Sequence, residues 1–275
     1  MEEIGQDAAP LIPRASFGSP VARSRRRFAS VLAFSVVLLA CRGDAPPSPD
    51  RVAPAATTSD TEAAGVRFVE ILTGGASPSD SLPLVVGIHG LGSSPERFGL
   101  LLSSLSTPAR LILPYGLDPY GEGFAWFPEW RDDAELAAGT QRAADRLAAM
   151  IDELVRRRPT RGKPIVAGFS QGGILSFALA VLHPESIRAA FPISGLLAQA
   201  LWPNQWPAGR EMPRVHASHG TADDRIAIAD ARATVRRLEA VGFSADLKEY
   251  PGVTHTTTPE MRRDLVRAMT QELHP

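Results

Sequence analysis

The chain has one cysteine among its 275 residues, Cys41. An intrachain disulfide is therefore impossible, and so is a metal cluster built on cysteines. An excess of either charge is missing too: 29 lysines and arginines face 30 aspartates and glutamates, a net charge of −1. Without a global field to recruit a polyanion, no nucleic-acid partner is expected. The apolar run near the N-terminus, Val31 to Leu39, is too short for a permanent bilayer-spanning helix. What remains is ordinary globular material, 44% hydrophobic and 21% charged, long enough for one large domain with a sizeable core.

The first forty residues read as an address. Arg23, Arg25, Arg26 and Arg27 precede the uncharged run Ala29 to Ala40, the basic-then-apolar order of a secretory signal. The run closes on Leu38-Leu39-Ala40-Cys41, which resembles the lipobox of bacterial lipoproteins, and that resemblance implies lipidation of Cys41 at the mature N-terminus. Ser24-Arg25-Arg26-Arg27-Phe28 also resembles a twin-arginine export signal. From Cys41 to about Ala64 the chain is rich in Pro, Ala, Ser, Thr and Asp, too polar and proline-broken to pack. The expected organisation is a signal peptide at 1–40, a flexible tether at 41–64 and a catalytic domain at 65–275. Such a protein is expected to be exported and held at a membrane by its lipid, on the periplasmic side or the cell surface.

Beyond Val66 apolar strands alternate with amphipathic helices. Strands are expected at Val66 to Leu72, Leu82 to Ile88, Arg110 to Leu113, Pro164 to Phe169, Ile187 to Ile193, Arg214 to Ser218 and Ala245 to Tyr250. Helices are expected at Pro95 to Leu105, Ala134 to Arg158, Gln171 to Leu182, about Ile226 to Val241, and from Pro259 with Thr258 as N-cap. In the longest of them Leu147, Met150, Ile151, Leu154 and Val155 are expected on one apolar face. Steady alternation implies an α/β fold whose mainly parallel sheet is covered on both faces. About 210 residues leave no room for a large cap domain.

Gly168-Phe169-Ser170-Gln171-Gly172 fits the G-x-S-x-G nucleophile elbow, and it lies between an expected strand and an expected helix as that motif requires. A serine hydroxyl is a weak nucleophile at neutral pH and needs a histidine to take its proton. In this fold the acid and then the base follow the serine on loops after later strands. His255 alone lies beyond the last strand on a loop feeding the final helix, which makes it the candidate base. After the strand ending at Ser218 come two adjacent aspartates, Asp223 and Asp224; Asp223 is read as the buttress of the imidazole and Asp224 as a helix cap. The oxyanion needs two backbone N–H donors. Gln171, following the nucleophile, supplies one, and Leu91, inside His89-Gly90-Leu91-Gly92, is chosen for the other. His89 itself is read as a structural hydrogen-bonding residue. No metal or cofactor is required by this arrangement.

Gly168-Phe169-Ser170-Gln171-Gly172-Gly173, His89-Gly90-Leu91-Gly92, His219-Gly220 with Asp223, and Gly252 to His255 together resemble the phospholipase/carboxylesterase family of α/β-hydrolases, which includes acyl-protein thioesterases. The resemblance covers about Pro83 to the C-terminus. It implies an α/β-hydrolase fold and ester or thioester hydrolysis, and it marks Phe124-Ala125-Trp126-Phe127 as an aromatic loop with Trp126 beside the substrate pocket. Ser93 and Thr221 stand where the family often has acidic residues. The stretch Leu196 to Pro213 is read either as a flap across the pocket or as an anchored connection. The leading expectation is a serine carboxylesterase acting through an acyl-enzyme on Ser170. A polymer-ester depolymerase or feruloyl-type esterase, a lysophospholipase or thioesterase, and a non-catalytic binding lipoprotein are the alternatives.

Overall fold

The computed structural model describes residues 61–273, so the expected signal peptide, Cys41 and most of the expected tether lie outside the described residues. The chain first runs through β1 (Glu62–Ala63), β2 (Val66–Leu72), β3 (Leu84–Ile88), α1 (Pro95–Gly99) with a 3-10 turn over Leu100–Leu102, β4 (Arg110–Pro114), β5 (Asp118–Tyr120) and β6 (Gly123–Ala125). It continues through α2 (Asp133–Arg157), β7 (Ile165–Phe169), α3 (Gln171–Leu182), β8 (Ala189–Ile193), a 3-10 turn at Gln199–Leu201, β9 (Arg214–Gly220), α4 (Ile228–Ala240), β10 (Ala245–Tyr250) and α5 (Pro259–Leu273). Eight strands form one sheet in the order β1-β2-β4-β3-β7-β8-β9-β10. All pairs from β4 through β10 are parallel, whereas β1–β2 and β2–β4 are antiparallel.

Period-two alternation builds the two layers. Val86, Ile112, Val166, Ala190 and Val215 face a core that includes buried residues of α2, α3 and α4. Their neighbours Val85, Leu111, Ile165, Ala189 and Phe191 face the other core, with residues of α1 and α5. Every residue of β3, β4 and β8 is buried, the mark of strands covered on both faces. Helix α3 is buried along nearly its whole length, in keeping with its almost uniformly apolar sequence.

Several expected boundaries shift for local reasons. The helix expected over Pro95 to Leu105 is one short α-helix capped by the Ser94 side chain, tightening into a 3-10 turn before Ser103. In α2, Leu147, Met150, Ile151 and Leu154 are fully buried. Val155, a further 100° round the helix, leaves that stripe and is 37% exposed. Glu62–Ala63, placed in the tether by composition, pairs with β2. The β5–β6 hairpin was not anticipated, because Pro119 and the short flanking segments give no alternating pattern.

At the antiparallel edge, Glu70 of β2 takes the guanidinium groups of Arg110 and Arg158, with side-chain exposures of 3%, 1% and 13%. Arg110 also donates to the Pro78 carbonyl at 2.9 Å. A buried carboxylate that neutralises two cations cannot be removed without stranding them. Glu70→Gln is therefore expected to lower stability by about 3 kcal/mol in urea unfolding with little change in m-value. The exposed Lys163–Glu211 pair supplies the contrast: Glu211→Gln should leave the midpoint where it was.

Candidate active site

Strand β7 ends at Phe169 and α3 begins at Gln171, so Ser170 alone makes the turn. Its backbone has φ 58° and ψ −117°, a conformation costly for a residue with a Cβ. Two backbone hydrogen bonds hold it there, Ser170 N–H to the Ile193 carbonyl at 3.0 Å and Ile174 N–H to the Ser170 carbonyl at 2.9 Å. The flanking glycines serve close approach. A Cβ on Gly168 would lie 2.1 Å from the Gly172 carbonyl oxygen, and one on Gly172 would lie 2.0 Å from that of Ile88. No larger residue fits at either position without moving the strand.

His255, on the loop between β10 and α5, places Nε2 2.9 Å from Ser170 Oγ. Its Nδ1 lies 2.9 Å from Asp223 Oδ2 and 3.0 Å from Oδ1. With a carboxylate on Nδ1, that nitrogen carries the ring proton and Nε2 is free to accept from the serine hydroxyl. The Phe169 ring lies against the imidazole, centroids 4.9 Å apart.

The Asp223 side chain is fully buried and holds more than His255. Its Oδ1 accepts from the N–H groups of Arg225 and Ile226, both at 3.0 Å. Its Oδ2 lies 3.3 Å from Nε2 of His219, which also lies 2.9 Å from the Ile226 carbonyl. Nε2 of His219 faces two acceptors and is therefore the protonated nitrogen. Burial favours the neutral carboxyl, but hydrogen bonds from His219, His255, Ile226 and Arg225 outweigh it and hold the pKa far below the usual aspartate range. The expectation that Asp224 caps the next helix is corrected. Asp224 is exposed, α4 begins after Ala227 with no side-chain cap, and Asp223 itself organises the turn.

The His89–Gly92 turn leans on the serine: a Cβ on Gly90 would come within 3.1 Å of Ser170 Cβ. Gly92 N–H donates to Phe124 O and Ser93 N–H to Gly90 O, whereas the preceding Leu91 N–H has no protein acceptor among the described residues. Gln171 is the first residue of α3, where a backbone N–H has no intrahelical partner. Among the described residues neither of these two N–H groups is engaged by another protein group. His89 braces the turn from behind. Gly116 N–H donates to its Nε2 at 3.0 Å, so Nδ1 bears the proton and donates to the Gly90 carbonyl at 2.8 Å. Burial lowers the His89 pKa, which keeps the ring neutral and this tautomer in place.

Trp126, expected beside the substrate pocket, is instead 2% exposed. Its indole N–H donates to His89 O at 2.9 Å, its backbone N–H donates to Gln171 Oε1 at 3.0 Å, and Gln171 Nε2 donates to Phe127 O at 2.9 Å. The aromatic loop is a wall behind the turn. The stretch Leu196 to Pro213 takes the anchored form: Leu197 and Ala198 are buried, Asp133 accepts from Gln199 and Ala200 N–H, and Trp206 packs edge-on against Phe243. Thr221 accepts from Gly252 N–H at 2.9 Å, joining the Asp223 loop to the His255 loop without a charge. Sequence reasoning missed His219 as the second partner of Asp223; the His-x-x-x-Asp spacing across one turn was its only signal.

A model of the phospholipase/carboxylesterase family matches residues 76–271. The chain belongs to that family. Within the phospholipase/carboxylesterase family it is 31% identical over 202 residues to a probable carboxylesterase of Oryza sativa subsp. japonica, covering 67% of this chain and 76% of that one. It is 26% identical over 189 residues to carboxylesterase SOBER1 of Arabidopsis thaliana, covering 62% and 82% of the two chains. Among solved structures, esterase PE8 superposes with a TM-score of 0.64 at 23% identity, over 76% of this chain and 99% of that one. Acyl-protein thioesterase 2 of Zea mays gives 0.60 at 24% identity, over 75% and 99%. At that identity these structures establish the α/β-hydrolase fold.

The two adjacent aspartates are separable by serine reactivity. Asp223→Asn should slow phosphonylation of Ser170 by a fluorophosphonate about 10³-fold or more, because the imidazole loses its tautomer and its counter-charge. Asp224→Asn should stay within about twofold of the parent rate, with mass mapping of the labelled peptide as the readout.

Proposed function

We propose that the protein is a serine carboxylesterase whose nucleophile is Ser170, with His255 as general base and acid and Asp223 as its buttress. The observation that carries this reading is the continuous chain Ser170 Oγ to His255 Nε2 at 2.9 Å and His255 Nδ1 to Asp223 at 2.9 Å, built on a serine in a strained turn. Membership of the phospholipase/carboxylesterase family and the names of its relatives agree with it.

In the reaction Ser170 Oγ gives its proton to His255 Nε2 and attacks the ester carbonyl carbon. Charge grows on the carbonyl oxygen, where the N–H groups of Leu91 and Gln171 receive it. The tetrahedral species collapses when His255 returns the proton to the departing alkoxide, leaving the acyl group on Ser170. Water then repeats the sequence with His255 as base, releasing the acid and the free serine. Asp223 stays ionised throughout, because four hydrogen bonds hold its charge, and steadies the imidazolium in each half-reaction.

The test is turnover of p-nitrophenyl esters of increasing acyl length. Wild-type protein should hydrolyse them, and Ser170→Ala should lower kcat about 10⁴-fold or more with the fold unchanged. Equal turnover in the two proteins would overturn the assignment.

We further propose that the domain is exported and tethered by lipid on Cys41, so that its ester substrates, small or polymer-linked, are met outside the cytoplasm. The support is sequence alone: the arginine-rich segment, the short apolar run and the Leu38-Leu39-Ala40-Cys41 junction. Cys41→Ser should move the protein from the membrane fraction to the soluble one, and unchanged membrane association would refute the anchor.

A further inference from the structure

One cavity borders the candidate base directly. It has a volume of about 300 Å³ and is lined by Arg97, Leu100, Leu101, Phe169, His255 and Arg262, among others. Its apolar lip is conspicuous, since Leu100 is 68% exposed, and a large apolar side chain presented at the mouth of a catalytic cleft is available to a ligand. Two arginines line this small space. Arg262 donates to Thr257 Oγ1 at 3.4 Å and to the Thr257 carbonyl at 3.3 Å, and among the described residues it meets no carboxylate. Arg97 donates to the Gly92 carbonyl at 3.5 Å, and among the described carboxylates it pairs with Glu122 at 3.8 Å, with side-chain exposures of 59% and 92%, a pair too solvated to cancel the charge. Glu96, next to Arg97, is engaged elsewhere by the Tyr115 hydroxyl at 2.9 Å. The cavity therefore joins an apolar surface to a net positive charge, in a protein whose overall charge is near zero.

Its position tells which part of an ester it meets. His255 Nε2 must hand its proton to the leaving oxygen, so the alcohol portion of the substrate lies on the histidine side of the serine, away from the oxyanion donors. The cavity is on that side, with His255 in its wall. Resting on the esterase reading above, we propose that the enzyme selects esters whose alcohol portion combines an apolar body with an anionic group, the body against Leu100, Leu101 and Phe169 and the anion against Arg97 and Arg262. Guanidinium groups bind carboxylate or phosphate oxygens through charge-assisted hydrogen bonds. Bond changes are those of ester hydrolysis: the acyl C–O bond breaks, His255 protonates the departing oxygen, and the alcohol leaves with its anion intact.

Matched substrates test this. 4-Acetoxybenzoate and its methyl ester transfer the same acetyl group and differ in the charge of the alcohol part; 4-nitrophenyl succinate places a carboxylate on the acyl side instead. At low salt the wild-type kcat/KM should favour 4-acetoxybenzoate over its methyl ester by about tenfold. That ratio should shrink as sodium chloride is raised, fall part-way in Arg97→Met and in Arg262→Met, approach one in the double variant, and recover in part with Arg262→Lys. Circular dichroism checks that these exposed substitutions leave the fold intact. A ratio at or below one in the wild type, a ratio untouched by the double variant, or a preference confined to 4-nitrophenyl succinate would each overturn the proposal while leaving the esterase reading standing. No turnover of any of these esters would remove both.

Discussion

The strained backbone of Ser170 is the constraint on which the rest depends. A residue with φ 58° and ψ −117° does not hold that shape by local preference, so the surrounding chain must over-determine it. It does so by crowding. Strand β3, strand β7 and the first turn of α3 come so close that no Cβ fits at Gly168 or Gly172, and the carbonyl of Ile193 in β8 accepts the Ser170 N–H. The energy stored in one residue is offset by the burial of the whole centre of the sheet, whose strands β3 and β8 expose nothing.

The same crowding organises the groups around the serine. Gly90 approaches Ser170 because β3 lies next to β7, and His89 then fixes the Gly90 carbonyl through a single tautomer set by the Gly116 N–H. On the other side β9 and β10 run parallel in register from Val215↔Ala245 to Gly220↔Tyr250, so the loops bearing Asp223 and His255 leave the sheet side by side. Three bonds between those loops, Thr221 N–H to Tyr250 O, Ala222 N–H to Val253 O and Gly252 N–H to Thr221 Oγ1, keep imidazole and carboxylate in reach of each other. The proposed nucleophile thus stands at the end of β7, and the proposed acid and base stand on short loops that leave the adjacent strands β9 and β10, the arrangement expected where geometry sets the rate.

Much of this was legible in the sequence because short-range chemistry encodes it. Glycines around Ser170 announced the elbow, the Thr258-Pro259 start announced α5, and the order of loops singled out His255. Helix α3 and strand β10 have the expected bounds. What could not be read depends on partners distant along the chain. Nothing in Val66–Leu72 distinguishes an antiparallel from a parallel neighbour, and the Glu70–Arg110–Arg158 cluster joins β2, β4 and the residue that follows α2. Trp126 is amphipathic and could have faced a ligand; only the fold shows its indole spent on the His89 carbonyl. Asp223 and Asp224 are equal as a sequence pair, and their fates part because one side chain turns inward to four donors and the other to water.

Gln171 joins two functions in one residue through separate atoms. Its main chain stands where an oxyanion donor belongs, and its side-chain amide fastens the Trp126–Phe127 wall by two hydrogen bonds. The first contribution belongs to the backbone, whereas the second needs a carboxamide of this reach. Position 171 is therefore a dial on the rigidity of the wall that can be turned while the electrostatics of the reacting centre stay fixed.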